Sequence, residues 1–368
     1  MSNTNQSLTA IALQKFKKNF WGVFSLGYIV LMIFLALFAY IIAPDNSENA
    51  NQMHLSIHSK SPGFTVQMLS IPSSKIEDKT IKGYFFGHPN QVTEIPISSY
   101  QIKDNKLHYV EYTEDKTLQL VKGITLDKFI DYNSFKQVEQ ELITKKKFYL
   151  GTDKYGRDLL SRILVGSRVS ISIGFVAVLI SVVVGLFFGA LGGYYGGKID
   201  ALVMWLVNII WSIPTLLLVI AITLALGKGF WQVFVAVGLT MWVEVARVVR
   251  GQIISVKEMQ YVTAARALGF SNGRIILNHI LPNIMAPVIV ISAANFASAI
   301  LVESGLSFLG LGAQPPIPSW GSMIKDHFSY IILGKPYLAL VPGIAIMLIT
   351  LAFMMTGNAL RDALDVKS

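Results

Sequence analysis

The chain has 368 residues, of which 53% are hydrophobic and only 14% are charged, and its net charge is +9. Soluble domains carry about a quarter charged residues, so this composition excludes a disordered or nucleic-acid-coating protein in spite of the basic charge. The absence of cysteine excludes disulfide frameworks, thiolate metal sites and cysteine nucleophiles.

The charges are distributed unevenly along the chain. Residues 44–149 contain thirteen Lys or Arg and thirteen Asp or Glu, so this block is neutral. The other residues hold 18 of the 31 basic and 9 of the 22 acidic side chains, and therefore the whole net charge of +9. The sequence thus predicts a neutral, polar block inside a basic and very apolar remainder.

The remainder contains six long stretches without a charged side chain. They cover residues 21–43, 169–197, 201–227, 229–243, 275–302 and 336–360. A helix needs roughly 20 apolar residues to cross the hydrocarbon core of a bilayer. Five stretches meet this length, and the fourth meets it if Glu244 lies at the membrane interface and the helix continues to Val249. The pattern predicts an all-α polytopic membrane protein with six transmembrane helices.

Basic residues predict the orientation of these helices, because cytoplasmic loops are enriched in Lys and Arg. Lys15, Lys17 and Lys18 precede the first helix with no acidic residue among them. The loop between the fourth and fifth helices would lie on the same side, and it is also rich in arginine. We therefore predict a multi-pass protein of the bacterial plasma (inner) membrane, in contact with the lipid bilayer, with both termini cytoplasmic and residues 44–149 outside.

The polar block is predicted to form a small β-rich or α+β domain. Runs of β-branched and aromatic residues at 64–71, 79–86, 94–102 and 106–112 predict strands, separated by turn-forming residues. Asp104-Asn105 predicts a hairpin turn, and residues 135–143 predict a short helix. The spacing of the histidines in the block, His54, His58, His88 and His108, matches no metal-ligand pattern, so no metal site is expected.

A segment of charges and glycines follows the block and leads into the second helix. Its candidate functional residues are Gly151, Thr152, Asp153, Gly156, Arg157, Asp158, Ser161 and Arg162. By itself it is a polar re-entry loop in which Asp153, Arg157 and Asp158 pair with one another. The complete run from residue 150 to 170 closely resembles the string that precedes the second helix of oligopeptide and dipeptide ABC-transporter permeases, the C-type inner-membrane subunit of binding-protein-dependent transport.

The resemblance divides the chain into three parts. It is weak over residues 1–43, the cytoplasmic N-terminus and first transmembrane helix, and strong over residues 150–368, the permease core with helices two to six. It does not extend to residues 44–149, which form the extracytoplasmic insertion between helices one and two. The implied fold is the six-helix ABC importer permease type.

A short helix is predicted in the cytoplasmic loop between helices four and five, at about residues 250–283. The alanines around Arg266 favour a helix, and Gly269 is suited to end it. This run and the following Leu281-Pro282 are similar to the "EAA…G…LP" pattern of ABC importer permeases, although Thr263 stands where the pattern has glutamate. The resemblance implies docking to a separate ATPase subunit through Tyr261, Thr263, Ala264, Ala265, Arg266, Leu268, Gly269, Leu281 and Pro282.

Two interpretations stay open for the arginines that precede this loop. Arg247 and Arg250 match arginines common in the family and either contact the ATPase or have an internal role. The internal interpretation rests on Glu244, which lies three residues before Arg247 and favours a helical ion pair with it.

Other residues are interpreted as structural. Gly185, Gly189 and Gly193 recur every fourth residue in the second helix, which favours close helix packing over solute binding. Pro214 predicts a kink in the third helix. Glu303 is placed at the outer end of the fifth helix, where solvent can reach it.

The sequence contains no glycine-rich phosphate loop and no HExxH, so the chain is not expected to be an enzyme. The resemblance implies a transmembrane permease subunit of an ATP-driven importer for peptides or related solutes, forming half of the translocation pathway. The implied partners are a second, homologous permease in a heterodimer, two ATP-binding cassette subunits that hold ATP and Mg, and an extracytoplasmic substrate-binding protein. No cofactor in this chain and no nucleic acid partner are expected. The alternatives are a membrane-anchored enzyme or sensor that acts through the insertion domain and, third, a channel.

Overall fold

The computed structural model describes residues 8–72, 81–90, 92–115, 117, 120–130, 132–227 and 229–364. The chain forms two compact units. Unit 1 comprises Met1–Ile33, Ser170–Gln314 and Ile344–Ser368, and unit 2 comprises Phe34–Val169 and Pro315–Gly343. The predicted domain boundaries at residues 43/44 and 149/150 remain predictions.

Most of the described residues are helical. In chain order the α-helices are α1 (Leu8–Lys18), α2 (Phe20–Leu37), α3 (Ala39–Ile42), α4 (Ile81–Phe86), α5 (Phe135–Leu142), α6 (Leu159–Tyr195), α7 (Gly197–Ser212), α8 (Thr215–Leu226), α9 (Phe230–Val256), α10 (Gln260–Ala267), α11 (Asn272–Arg274), α12 (Leu281–Phe308), α13 (Trp320–His327) and α14 (Tyr337–Leu364). A single π-helical turn, Ile275–Ile280, joins α11 to α12.

Five helical segments in the described part of the chain are long and apolar enough to cross a membrane. They are α2, α6, α9, the continuous run from α11 to α12, and α14. The third predicted span is instead two helices, α7 and α8, bent by 94° at a short break. Pro214 accounts for the break because it has no N–H to donate and its ring clashes with the preceding turn. The count of six spans therefore holds only if this bent pair is one span.

The fourth span extends further than the sequence indicated. Helix α9 runs from Phe230 to Val256, and Glu244 is therefore near its middle rather than at its end. The expectation that the helix continues past Glu244 to about Val249 is confirmed and exceeded by seven residues, and the position of Glu244 at the membrane interface stays a prediction. The charge-free stretch ended at Glu244, but the backbone hydrogen bonds of a helix do not depend on side-chain polarity.

Unit 2 contains a five-stranded antiparallel sheet in the order β4-β3-β2-β1-β5. Its strands are β1 (Phe64–Pro72), β2 (Val92–Lys103), β3 (Lys106–Glu111), β4 (Val121–Thr125) and β5 (Ile143–Phe148). The hairpin between β2 and β3 is confirmed: Asp104 and Asn105 both have positive φ, 51° and 54°, as a tight two-residue turn requires.

The structure corrects one of the predicted strands and adds two. Residues 81–86 form helix α4, while residues 79 and 80 of the predicted strand lie outside the described part of the chain. A short aromatic run is ambiguous between helix and strand, and local pattern does not decide it. Strands β4 and β5 were not predicted. In β5 the consecutive lysines 145–147 interrupt the alternation of apolar and polar side chains that would predict a strand. The strand tolerates these lysines because it lies at the edge of the sheet.

The predicted helix at residues 135–143 is confirmed as α5, which packs on one face of the sheet. Its buried residues Phe135, Val138 and Leu142 join one apolar cluster with Leu69 and Leu107 of the strands. The opposite face is covered near Ile57, which packs with residues of β1 and β5. Burial on both faces gives the sheet an apolar core within unit 2.

In unit 1 the glycines of α6 lie against α9. A methyl group at Gly189 would lie 2.7 Å from the carbonyl oxygen of Ala246, and one at Gly193 would lie 2.9 Å from that of Arg250. The two backbones approach so closely that no side chain fits between them, which confirms the packing interpretation.

Glu303 differs from its prediction. It is fully buried, and its carboxylate accepts a hydrogen bond of 2.6 Å from the Ser307 hydroxyl. The expectation that solvent reaches this side chain is therefore wrong, because α12 continues to Phe308 and covers it.

Candidate functional site

Helix α10 is the short helix predicted in the loop between the fourth and fifth spans. It ends at Ala267, and Gly269, two residues further on, has a φ of 78°. The Gly269 amide donates to the Arg266 carbonyl at 3.0 Å, and the Phe270 amide donates to the Ala265 carbonyl at 3.2 Å. This pair of bonds is the Schellman arrangement, which needs a left-handed residue that glycine adopts without strain. The glycine therefore sets where the helix ends and the chain reverses.

The two faces of α10 are different. Val262 and Ala265 are buried in one apolar cluster with Ile253, Ile275 and Ile280. The other predicted contact residues of the helix and its end are exposed: Tyr261, Thr263, Ala264, Arg266, Leu268 and Gly269. Ala265 thus anchors the helix, while its neighbours form a surface, and Leu268 is 73% exposed on it.

Leu281 and Pro282 lie at the start of α12. Leu281 is half-buried and packs on the same cluster that holds Ala265, whereas Pro282 is exposed. Proline is tolerated in the first turn of a helix, where its missing N–H has no intrahelical partner to lose. The structure therefore brings Leu281 together with the buried side of α10 and leaves Pro282 on the surface.

Polar contacts tie the loop to α6 and α7. Arg250 donates two hydrogen bonds to the Asp200 carboxylate, with Nη2 2.6 Å from Oδ2 and Nε bonded to Oδ1. Lys257 donates to the Gly193 carbonyl at 3.1 Å, and Tyr194 donates to Asn272 at 2.8 Å. A planar guanidinium paired with a carboxylate through two bonds has a defined orientation, so Arg250 positions α9 against α7. The two residues lie fifty positions apart, so no local sequence pattern indicates this pair.

Arg247 has a different contact from the one predicted. Its guanidinium lies over the Trp211 ring, 3.7 Å from the centroid. Within the described chain it forms no ion pair with Glu244, so the predicted helical pair is wrong. The cation–π contact replaces it because the break at residues 213–214 places Trp211 beside α9. Both arginines therefore have internal contacts.

The glycine-rich segment before α6 forms a buried polar network in unit 2. Asp153 is fully buried, and its Oδ2 accepts from Arg157 Nε at 2.6 Å and lies 3.7 Å from Arg162 Nε. Its Oδ1 accepts from the backbone amides of Tyr155 and Arg157. Gly156 has φ of 75°, which allows the tight turn between them.

The predicted pairing of Asp158 within this segment is wrong. Its carboxylate accepts from the Ser161 amide at 2.8 Å and from the Ser161 hydroxyl, which is the geometry of a cap at the start of α6. Burial raises the pKa of the Asp158 carboxyl, although the Ser161 bonds oppose that effect.

The same segment holds residues 45–60 in place. The Thr152 hydroxyl donates to the Ile57 carbonyl at 2.5 Å and accepts from the Lys60 amide at 2.8 Å. Three further contacts join the two segments: Arg157 to Asn51 at 2.9 Å, Arg162 to the Asn49 carbonyl at 3.2 Å, and the Asp45 amide to Ser161 at 2.9 Å. Gly151, with φ of 80°, closely approaches the Lys60 carbonyl. The eight predicted residues of this segment thus act as a structural clamp.

Two family models match separate parts of the chain. The family model described as binding-protein-dependent transport system inner membrane component matches residues 173–367. The model described as the N-terminal TM domain of oligopeptide transport permease C matches residues 7–62. These matches include α10 and omit residues 63–172, which contain the sheet and the glycine-rich segment.

Individual proteins are similar over more than half of the chain. The dipeptide transport system permease protein DppC of Alkalihalophilus pseudofirmus is 43% identical over 219 residues, which are 60% of this chain and 72% of that protein. The glutathione transport system permease protein GsiD of Pectobacterium atrosepticum is 39% identical with the same coverage. A solved chain of the inward-facing MetNI methionine ABC transporter aligns with a TM-score of 0.45 and 17% identity over 55% of this chain and 95% of that chain.

Proposed function

Since the chain belongs to the family of binding-protein-dependent transport system inner membrane components, we propose that it serves an ATP-driven importer whose solutes are peptides or related small molecules. The chain is a multi-pass membrane permease subunit. Its relatives are named for dipeptide and glutathione transport at nearly equal identity, which supports the broad solute class and does not select within it. The family match covers the permease core, which favours this function over an enzyme, a sensor or a channel.

The observation that carries the coupling part of the proposal is the two-sided geometry of α10. Val262 and Ala265 fix the helix to the bundle, and the exposed side offers small alanine surfaces beside Leu268 to another protein. An apolar side chain exposed on a fixed helix suits a cleft in a partner. We assign this surface to an ATPase subunit that holds ATP and Mg, which this chain would not bind itself.

The remaining partners follow from the same role. A single coupling helix on one set of spans suits half of a two-fold assembly, so a second permease would complete the pathway. A substrate-binding protein would deliver solute to the external side. The lysines before α2 and the arginines around α10 favour a cytoplasmic position for the termini and α10, and we extend the proposal to an external position for the sheet of unit 2.

Uptake by reconstituted vesicles tests the proposal. The chain is inserted with its second permease and ATPase subunits, and a binding protein is added with labelled dipeptide, oligopeptide or glutathione. We expect accumulation of at least one solute that requires both ATP and the binding protein. Accumulation without ATP would identify a channel, and no accumulation of any of these solutes would contradict the proposed solute class.

A further inference from the structure

A small cavity opens in unit 1 beside the break between α7 and α8. Its volume is about 200 Å³, and its polar lining consists of Thr215, Thr240, Glu244 and Ser298, with the Trp211 ring on one side. The polar residues come from α8, α9 and α12. A cavity of this size is below the range for drug-sized ligands, so it suits one residue-sized group.

The only acid in this lining lies deep in its helix. Glu244 is 14 residues after Phe230 and 12 before Val256, or about 21 and 18 Å from the two ends at 1.5 Å per residue. Glu244 lies within this candidate span, and an ionisable side chain inside a span is costly in lipid, so it faces a watery cavity or a charged partner. Glu244 is therefore expected to have a polar surrounding in the assembled membrane protein.

No charged side chain among the described residues pairs with this carboxylate. Arg247, one turn further along α9, stacks on Trp211, and the Thr240 hydroxyl donates to the Val237 carbonyl at 2.8 Å. Within the described residues Glu244 has neither an ion pair nor a hydrogen bond, and its side chain is exposed. The carboxylate is thus available to a group from outside the chain.

The break between α7 and α8 indicates whether the cavity faces lipid or the translocation pathway. Irregular backbone at membrane depth is tolerated only where it is buried in protein or lines a water-filled cavity. The 94° bend lies between Trp211 and Thr215, and both residues line the cavity. In transporters, solute sites lie near the midplane at such discontinuous helices. The cavity therefore faces the translocation pathway rather than lipid.

We propose that Glu244 is a solute-binding group of the translocation pathway and that its carboxylate pairs with an ammonium group of the passing solute. This inference rests on the proposed importer function and adds a recognition group within the membrane. The ammonium belongs to a peptide amino terminus or a lysine side chain, and the Thr215 and Ser298 hydroxyls lie in the same cavity as further acceptors. A carboxylate and an ammonium form a charge-assisted bond, which is stronger where water is scarce.

The test compares Glu244→Gln with Glu244→Asp in the complete reconstituted transporter. The probes are trialanine with a free amino terminus and its N-acetylated form. We expect Glu244→Gln to slow uptake of free trialanine by about tenfold, Glu244→Asp to keep it within about threefold, and ATPase stimulation by the loaded binding protein to persist in both. Uptake of the acetylated form should not change. Asp362→Asn, which removes an exposed carboxylate at the end of α14, is the matched control.

Several results would overturn the inference. These are unchanged uptake of free trialanine in Glu244→Gln, an equal loss for both probes, or a loss of ATPase stimulation, since the last two indicate a partner subunit or the fold. If the wild type does not carry the acetylated form, the test rests on uptake of free trialanine by Glu244→Gln and Glu244→Asp. Equal impairment of these two variants contradicts the proposal. Failure of the wild type to carry free trialanine would instead contradict the proposed function, and the inference with it.

Discussion

Gly269 determines the backbone conformation at the end of α10 and also lies on the proposed ATPase-docking surface. Its positive φ closes α10, and no atom lies within 4 Å of where a β-carbon would be. A substitution there is therefore strained by the backbone and not by crowding. For an alanine the left-handed conformation costs about 1 kcal/mol, whereas Asn and Asp tolerate it better. A comparison of Gly269→Asn with Gly269→Asp thus separates the effect of charge from that of backbone strain.

We predict that Gly269→Asp abolishes ATP-dependent uptake while the amount of inserted protein is unchanged. The added charge lies beside the exposed Leu268, on the surface assigned to the ATPase, and it would have to lose its water there. Gly269→Asn has the same shape without the charge and should retain part of the uptake. Uptake in vesicles and quantification of the membrane-inserted chain measure both effects. Undiminished uptake in Gly269→Asp would rule out docking through this surface.

At the scale of elements, a partly buried ion cluster joins β2, β5 and the loop that precedes β1. Glu94 Oε2 lies 2.6 Å from Lys146 Nζ and 3.6 Å from His54 Nε2. Burial alone would raise the pKa of the Glu94 carboxyl, but the contact with His54 and the charge of Lys146 outweigh burial and lower this pKa to about 2. A carboxyl with a lowered pKa stabilises the fold above its ordinary value of 4.5, and this contribution disappears as the pH falls towards 2.

We predict that Glu94→Gln lowers the free energy of unfolding of the sheet by up to about 3 kcal/mol at pH 7. The difference from the wild type should shrink between pH 4.5 and pH 2, where the wild-type carboxyl also becomes neutral. Thermal unfolding of the full chain in detergent, followed by circular dichroism across this pH range, measures it. Glu111→Gln is the control, because Glu111 pairs with Lys122 at 2.6 Å in an exposed position. Equal effects of the two variants at pH 7 would contradict the role of the cluster.

At the scale of the whole molecule, the clamp around residues 45–60 is separate in sequence from most of the sheet. Phe64 and Phe148 are directly paired at the start of β1 and the end of β5, and the Gly63 amide donates to the Phe148 carbonyl at 2.9 Å. The chain thus leaves the clamp at Phe64 and returns to it at Phe148, which is directly beside Phe64. Removal of residues 65–147 therefore leaves in place the bonds of Arg157 and Arg162 to residues 49–51, although it removes the contact of His54 with Glu94.

We predict that replacing residues 65–147 by an Asn-Gly turn preserves the folded permease, since this dipeptide closes a two-residue hairpin. Deleting residues 48–146 should instead destabilise the chain by about 3–5 kcal/mol, because Arg157 and Arg162 lose their acceptors at Asn51 and Asn49 and remain buried. Thermal stability of the two purified variants in detergent measures the difference. Equal stability would show that the clamp contacts are dispensable.

The sequence by itself determined the features that depend on local composition. The apolar spans follow from side-chain hydrophobicity, the Asp104-Asn105 hairpin from turn chemistry, and the end of α10 at Gly269 from backbone freedom. Each of these rests on residues close together in the chain, so the pattern alone indicates the structure.

Only the tertiary structure decided which distant side chains meet. Arg250 pairs with Asp200 and Arg247 stacks on Trp211, although the nearest acid in sequence is Glu244. The motif residues Asp153 and Arg157 were predicted to pair, but their contact with residues 45–60 was not. Such contacts depend on the packing of whole helices and on a helix break whose angle no local pattern specifies. That Glu244 has no partner among the described residues follows from the same packing.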